Sequence, residues 1–377
     1  MIEKHVHDFE RVILVLQGGG SLGAYHVGAY KALSEAGYLP NVICGISIGS
    51  ITAAILAGNA PKDRISKIQE FWDLVCWPDP LEETLEYKIP KELRRMHNQY
   101  ANMVSIMFGQ PNFFFPRVPP PQFQEKGSKG ATSYYDTSIL RDTLLKCCNF
   151  ERINQNKTRL IVGVTKVRTG ELVFFDSSEI KITPEHIMAS SALPPGFPGI
   201  YIDNELYWDG GVASNSPVES ILQVKPYVKT LVFMIDLFNP ESPGNPQDIQ
   251  EVEWVRKNIA YASRTIRQLQ GISERHNLKH GLFHLLKHIP PELQNDPTIL
   301  ELKDVASEIQ LHFIHLVYHA SETETFFSDA EFSRTSIKER AQHGYEDMEN
   351  ALSQKHWLEP QPNHVGSKVH TYHYKRT

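Results

Sequence analysis

The sequence predicts an α/β protein with a mostly parallel central sheet, followed by a mainly helical C-terminal extension. Residues 11–17 form a continuous, mainly apolar run that ends at glycines, which is typical of a strand buried on both faces of a parallel sheet. Apolar residues recur at helical spacing from Ala24 to Ala36, and Gly37 is a plausible stop. A second short strand at 41–44 leads through glycines into a second helix that runs to Gly58. Two consecutive strand–turn–helix units indicate β–α–β architecture.

Later segments extend this pattern. Two strands at 159–167 and 171–176 flank a turn at 168–170 and predict a β-hairpin. A second hairpin is predicted at 201–208, with its turn at Asp203 and Asn204, and residues 228–236 predict a late buried strand. Helical patterns occur at Ile65–Leu74 and Leu93–Met107.

A run of Pro, Gly, Ser and Asn at 239–246 marks a boundary in composition. We therefore expect a main domain at 10–240 and a helical extension at 241–359, because the sequence beyond the boundary is polar, His-rich and helical in pattern. Residues 360–377 lack periodicity and predict a mobile tail.

Three aromatic residues, Phe113, Phe114 and Phe115, lie beside a proline-rich segment that can be neither a core helix nor a central strand. We expect them to form a lid or a membrane-facing rim. The alternative is a hydrophobic plug beneath the loop.

Composition limits the functional classes. The chain has 377 residues, 41% of them hydrophobic and 22% charged, which is typical of a folded globular protein. A net charge of -6 gives no global basic field that would favour nucleic acid. Its four cysteines, by their spacing, fit neither a disulfide framework nor a metal site. The sequence shows no cleaved signal peptide and no bilayer-spanning segment, so we expect a cytoplasmic protein that can associate peripherally with membranes.

The glycines after the first strand allow more than one function. Gly18, Gly20 and Gly23 have the spacing of a dinucleotide-binding loop, but the second strand ends at Cys44 and Gly45 without the acidic residue that would hold a ribose. Backbone amides at a helix start can instead stabilise an oxyanion. A merely structural tight turn is the third interpretation.

A second glycine motif, Gly45-Ile-Ser-Ile-Gly49, lies between the predicted second strand and second helix. This context is typical of a nucleophile elbow, in which the central serine, Ser47, is exposed on a strained turn. The alternative is a structural serine in a glycine turn. Its position directly after the first glycine loop favours the nucleophile.

Four blocks follow one another along the chain: Gly18–Gly23, Gly45–Gly49, Ala189–Pro194 with Phe197-Pro198, and Asp209–Gly211, which Asn215–Pro217 follows. Together they resemble the patatin-like phospholipase family over roughly residues 10–240. The resemblance implies a three-layer α/β/α sandwich that hydrolyses fatty acyl esters of phospholipids or lysophospholipids, with transient membrane contact and no cofactor or metal. It also implies the following site residues: Ser47 as nucleophile, Asp209 as base, Gly18, Gly19, Gly20 and Gly23 as the oxyanion hole, and Gly45, Gly49, Gly210 and Gly211 in support of these motifs.

The resemblance is incomplete at Leu22, where the family often has Arg or Lys. A Ser-His-Asp triad is an alternative to the dyad, because four histidines at fourfold spacing follow the aspartate: His276, His280, His284 and His288. His26 is more typical of a helix-face residue than of a base. A lipid-binding scaffold without turnover is the non-enzymatic alternative, and the oligomeric state is left open.

Overall fold

The computed structural model describes residues 9–78, 90–225, 228–241, 245–321, 324, 327–359, 362 and 364–374. Its strands are β1 (Arg11–Leu16), β2 (Val42–Gly45), β3 (Phe115–Pro116), β4 (Tyr135–Asp136), β5 (Arg159–Lys166), β6 (Glu171–Asp176), β7 (Ile200–Ile202), β8 (Glu205–Asp209), β9 (Thr230–Asp236), β10 (Leu311–Val317) and β11 (Ser367–Tyr372). Its α-helices are α1 (Ala24–Glu35), α2 (Ile48–Gly58), α3 (Arg64–Val75), α4 (Lys91–Phe108), α5 (Leu140–Cys147), α6 (Phe150–Asn154), α7 (Pro184–Ser190), α8 (Ile249–Leu286), α9 (Pro297–Val305) and α10 (Arg334–Ser353).

The central sheet has the strand order β11-β10-β9-β1-β2-β5-β8-β7, and β6 pairs with β5. The pairs from β11 to β5 are parallel, whereas β6, β7 and β8 are antiparallel to their neighbours. Both predicted hairpins are present, as β5–β6 and β7–β8. Asp203 and Asn204 have φ values of 49° and 64°, the backbone conformation that tight two-residue hairpin turns favour. The prediction of a mostly parallel sheet is confirmed.

Alternate residues of β1 enter two cores on opposite faces of the sheet. Leu14 and Leu16 belong to a cluster with residues of α1, α2 and α3, whereas Ile13 and Val15 pack with Leu269 of α8 and others. This alternation follows from the two-residue period of a strand. Helices therefore cover both faces, which confirms the expected α/β/α sandwich.

The C-terminal extension is built into the sandwich. Its helices α8, α9 and α10 confirm the mainly helical prediction, but β10 and β11 continue the parallel sheet beside β9. The predicted division at residue 240 is therefore not a separation in space. The prediction of a mobile tail is wrong for residues 367–372, because their backbone pairs with β10. Residues 360, 361, 363 and 375–377 of that tail lie outside the described residues.

Helix α10 approaches α1 through two glycines. A Cβ atom on Gly28 would overlap the carbonyl oxygen of Ala341, and one on Gly344 would overlap that of Tyr25. Such close packing fixes α10 against the helix that follows the first glycine loop. No described helix is both long and apolar enough to cross a bilayer.

Candidate active site

The sheet topology brings three predicted motifs to one edge. Strands β1 and β2 are parallel neighbours, with Leu16 paired to Gly45, so the turns that follow them lie side by side. Ser47 occupies the turn after β2. Asp209 ends β8 and pairs with Val164 of β5, the strand next to β2. The glycine loop, the serine and the aspartate therefore lie close together at the carboxyl ends of the parallel strands. Sheets of this kind commonly bind their ligands at that edge.

These turns line a pocket with a volume of about 180 Å³. Its polar part is formed by the following residues: Gly18, Gly19, Gly20, Ser47, Ser191, Asp209, Gly211, Asn215 and Asp329. Its wall is largely aromatic and contains these rings: Phe113, Phe114, Phe197, Phe238, Tyr261 and Phe332. Two of those rings, Tyr261 and Phe332, come from the extension beyond residue 240, so the extension helps to build the pocket.

Ser47 lies in a strained turn. Its φ of 56° and ψ of -129° are rare for a residue with a side chain. The flanking glycines make the turn possible, since a Cβ on Gly45 would overlap the backbone of Gly49, and one on Gly49 would overlap the carbonyl of Leu16. The Ser47 amide donates to Ser190 Oγ at 3.1 Å. The result is a serine hydroxyl held at the start of α2, facing the pocket.

Asp209 is a buried carboxylate with a raised pKa. It is 1% exposed, and its Oδ1 accepts a hydrogen bond from the Gly211 amide at 2.7 Å. Burial raises the pKa of Asp209 to about 7, although the Ser47 hydroxyl and the Gly211 amide both act to lower it. Ser47 is thus close enough to Asp209 to favour the charged form of its carboxylate. Oδ2 of Asp209, however, makes no hydrogen bond of normal geometry to the described residues. Such contacts often tighten only when substrate is bound.

The first glycine loop leaves two amides available. The Gly18 amide donates to the carbonyl of Asn215 at 3.2 Å, and Gly23 packs against Ile48. By contrast, the amides of Gly19 and Gly20 have no protein acceptor within the described part of the chain. Gly20 has a φ of 56°, and a Cβ there would overlap the carbonyl of Asp329. The Gly18 amide, which has a protein acceptor, therefore differs from the amides of Gly19 and Gly20.

Two supporting residues were not assigned a role from the sequence. Asn215 donates from Nδ2 to the carbonyl of Gly18 at 2.9 Å and so ties the glycine loop to the segment after Asp209. Ser190 donates to the carbonyl of Gly163 at 2.7 Å while it accepts from Ser47. Both residues lie in or beside the family-like blocks, which was the only signal that could have found them.

The aromatic cluster differs from its prediction. Phe113 and Phe114 are buried and line the pocket, with the Phe114 ring 5.0 Å from that of Phe197. A lid or membrane-facing rim is therefore wrong for these two residues, because their rings are covered by Phe197 and Phe332. Phe115 is the exposed member. The alternative of a buried plug agrees better with the structure. It differs only in that the buried rings of Phe113 and Phe114 form a wall of the pocket.

A buried ion cluster connects the glycine loop to the extension. Arg340 of α10 donates to Ser21 Oγ at 2.9 Å and pairs with Glu324 and Glu331 at 2.9 and 3.3 Å. Ser21 donates in turn to the carbonyl of Ser328 at 2.7 Å. Burial opposes the charge of Arg340, but the two carboxylates more than offset it and raise its pKa. Arg340 therefore fixes the glycine loop against the segment that carries the pocket residues Asp329, Ala330 and Phe332.

None of the histidines from the triad alternative lines the described pocket. His276 and His280 are buried on α8, where their rings bond to the carbonyls of Ile309 and Ser307. His284 and His288 lie further along the chain from the pocket-lining Tyr261. His26 is fully buried, which lowers its pKa to about 3. In the described residues, no group of three His, Cys, Asp or Glu side chains is arranged to hold a metal ion.

Comparison with known proteins identifies relatives that match this chain over short stretches. A triacylglycerol lipase of Arabidopsis thaliana is 38% identical over 75 residues, which cover 20% of this chain and 9% of that protein. A triacylglycerol lipase of Schizosaccharomyces pombe is 36% identical over 69 residues, which cover 18% of this chain and 14% of that protein. The solved structure of human GIVD cytosolic phospholipase A2 in complex with methyl gamma-linolenyl fluorophosphonate has a TM-score of 0.41 and 9% identity, with 95% of this chain and 61% of that chain covered.

Family profiles match over longer stretches. The profile described as patatin phospholipase matches residues 259–364, within the C-terminal extension. The profile described as patatin-like phospholipase matches residues 14–222, which is more than half of the 377 residues and includes both glycine motifs and Asp209. The structure offers no acidic residue at the end of β2 for the dinucleotide-binding alternative, because that strand ends at Cys44 and Gly45 and leads directly into the Ser47 turn. The chain belongs to the patatin-like phospholipase family.

Proposed function

We propose that this protein hydrolyses fatty acyl esters of glycerolipids through a dyad of Ser47 and Asp209. The observation that carries the proposal is the strained Ser47 next to a buried Asp209 whose pKa is raised to about 7. A carboxylate with that pKa is a far better base at neutral pH than one with the ordinary value of 3.8. A scaffold without turnover would not require either feature.

The reaction follows from the positions of the groups. Asp209 takes the hydroxyl proton of Ser47, and Ser47 Oγ attacks the ester carbonyl carbon. The tetrahedral oxyanion accepts hydrogen bonds from the amides of Gly19 and Gly20. When the C–O bond to the alcohol breaks, Asp209 returns the proton to the leaving oxygen. Asp209 then takes a proton from a water molecule, whose oxygen attacks the acyl carbonyl carbon. When the bond to Ser47 Oγ breaks, Asp209 returns that proton to Oγ and the fatty acid is released.

The pocket supports two classes of glycerolipid. Phospholipids and lysophospholipids are the substrates that the family resemblance predicts. Neutral acylglycerols are a second candidate, because the residues that line the described pocket include no Lys, Arg or His that could bind a phosphate. Asp329, an acidic residue that lines the pocket, pairs with Lys257 at 2.6 Å, and Leu22 stands where the family often has a basic residue. A panel of phospholipids, lysophospholipids and acylglycerols with product identification distinguishes the two classes.

The pH dependence of turnover tests the assignment of the base. Because Asp209 must be ionised to accept the Ser47 proton, kcat/KM for a soluble short-chain ester is expected to rise with pH and level off above about 7. Below that midpoint, the rate should fall about tenfold per pH unit. A midpoint near the ordinary carboxyl pKa of 3.8 would contradict the proposed role of buried Asp209.

A further inference from the structure

Helix α4 buries polar side chains and exposes apolar ones, which is the reverse of a normal surface helix. The side chains that it buries are all polar: Arg94, Asn98, Asn102 and Ser105. A surface helix of a globular protein normally buries its apolar stripe and exposes its polar one. The orientation of α4 therefore requires an explanation.

The opposite face of α4 is apolar and open to solvent. Six large side chains lie on it, each 50% to 64% exposed: Leu93, Met96, Tyr100, Met103, Met107 and Phe108. The first five recur at alternating spacings of three and four residues, so they form one stripe along the helix. We call these six residues the α4 face.

Specific polar contacts hold α4 in this orientation. Arg94 Nη2 donates to Ser336 Oγ at 2.9 Å and pairs with Glu339 at 2.8 Å. Asn102 Nδ2 donates to the carbonyl of Phe327 at 2.8 Å. A rotation that buried the apolar face would break these bonds and leave buried polar groups unpaired, which is costly. The apolar face is therefore directed outward by the fold.

The α4 face adjoins the active-site pocket. The carbonyl of Ile106, near the end of α4, accepts a hydrogen bond from the Tyr135 hydroxyl at 2.8 Å. The Tyr135 ring packs 5.0 Å from Phe114, which lines the pocket, and Gln110 bridges to the backbone of Phe114. One side chain, that of Tyr135, therefore lies between the end of α4 and the pocket wall.

We propose that the α4 face docks the protein onto a lipid surface with neutral or zwitterionic headgroups. The proposal rests on the lipid hydrolysis proposed above, because the substrate of such an enzyme is embedded in that surface. Flexible Met side chains suit a fluid partner, and Tyr is favoured at the boundary between lipid and water. Neither arginine of α4 adds a cationic patch to this face, since Arg94 is buried and Arg95 lies 3.6 Å from Glu251.

A second copy of the chain fits the α4 face less well. An 18-residue helix is about 27 Å long, so a stripe about 10 Å wide covers roughly 270 Å². A standard protein interface buries about 800 Å² on each partner. The area is too small for a stable dimer but sufficient for shallow insertion into a lipid surface.

The test compares two sets of substitutions in vesicle flotation. One variant carries Met96→Gln, Met103→Gln and Met107→Gln, changes that keep helix propensity. The matched control carries Leu278→Gln and Leu285→Gln, which are 75% and 63% exposed on α8. Both sets are placed in a Ser47→Ala background so that hydrolysis does not alter the phosphatidylcholine vesicles. The α4 variant is expected to lose at least ~10-fold in partitioning, and the control to bind like the parent.

Three further measurements complete the test. With Ser47 restored, both variants should hydrolyse a soluble 4-nitrophenyl butyrate substrate within about twofold of the wild type, because neither set touches the pocket. Added phosphatidylglycerol should raise binding by less than about threefold. Binding of the α4 variant equal to that of the control, or a parent protein that does not float, overturns the docking proposal. A concentration-dependent dimer that only the α4 variant abolishes also overturns it, whereas absent esterase activity with normal flotation counts against the proposed function alone.

Discussion

Replacement of Ser47 by Ala is expected to abolish most acyl-ester hydrolysis, and Asp209→Asn is expected to have nearly the same effect. Loss of the nucleophile removes the acyl-enzyme route, and loss of the base leaves the hydroxyl without a proton acceptor. Each change should lower kcat by at least ~10²-fold. Because the two groups act as a unit, the double variant should lose little more than either single variant. Initial rates on a soluble ester measure all three.

Matched histidine variants provide the control for this prediction. The individual replacements of His26, His276, His280, His284 and His288 by Gln should each leave kcat within about tenfold of wild type. A histidine variant that folds normally but is as inactive as Ser47→Ala would replace the dyad with a triad. Thermal unfolding should show that Asp209→Asn remains folded, since Asn preserves the volume of the turn.

Substitution of Arg340 by Lys is expected to lower kcat by roughly tenfold with a small change in KM. One ammonium group cannot reproduce the contacts of Arg340 with Ser21, Glu324 and Glu331, so the glycine loop should lose its fixed position. Misplaced oxyanion donors reduce the stability of the transition state more than that of bound substrate. Arg340 is a positioning residue in this account.

A second buried arginine separates positioning from stability. Arg64 is 2% exposed and donates to Tyr30 and Thr158, both outside the residues that line the pocket. Arg64→Lys should therefore lower the melting temperature without a comparable loss of kcat. The Arg340→Met variant, which leaves two buried carboxylates uncompensated, is expected to cost about 3 to 5 kcal/mol of stability. Equal kcat losses in the two Lys variants would contradict a positioning role for Arg340.

The sequence was most informative where local geometry restricts the residue type. The turn at Ser47 requires small residues at both Gly45 and Gly49, because a Cβ at either would overlap backbone. Similarly, the positive φ values of Asp203 and Asn204 explain why their identity predicted a hairpin turn. Such restrictions act within a few residues of the chain and are therefore visible in the sequence.

Strands β10 and β11 could not be predicted, because the contacts that bury polar residues there come from distant parts of the chain. His312 and His315 interrupt the apolar pattern of β10, yet both are buried. His315 Nε2 bonds to Asp236 Oδ2 at 2.8 Å, so its burial depends on a partner on another strand. Long-range polar partners of this kind are not visible in hydrophobic periodicity.

The direction of an amphipathic face was also not predictable. The pattern at Leu93–Met107 correctly predicted a helix, but periodicity gives the stripe and not the side that is buried. Arg94 and Asn102 determine the orientation through contacts with Ser336 and Phe327, more than 200 residues away in the chain. Phe113 and Phe114 illustrate the same limit, because only the folded chain places Phe197 and Phe332 over them.

The central claim is that Ser47 is the nucleophile and that Asp209 activates it. Intact-mass and peptide analysis after treatment with a fluorophosphonate probe tests this claim most directly. The wild type should gain one covalent adduct on Ser47, Ser47→Ala should gain none, and Asp209→Asn should react at least ~10²-fold more slowly. An adduct on another residue, or a labelling rate that is unchanged in Asp209→Asn, would contradict the account.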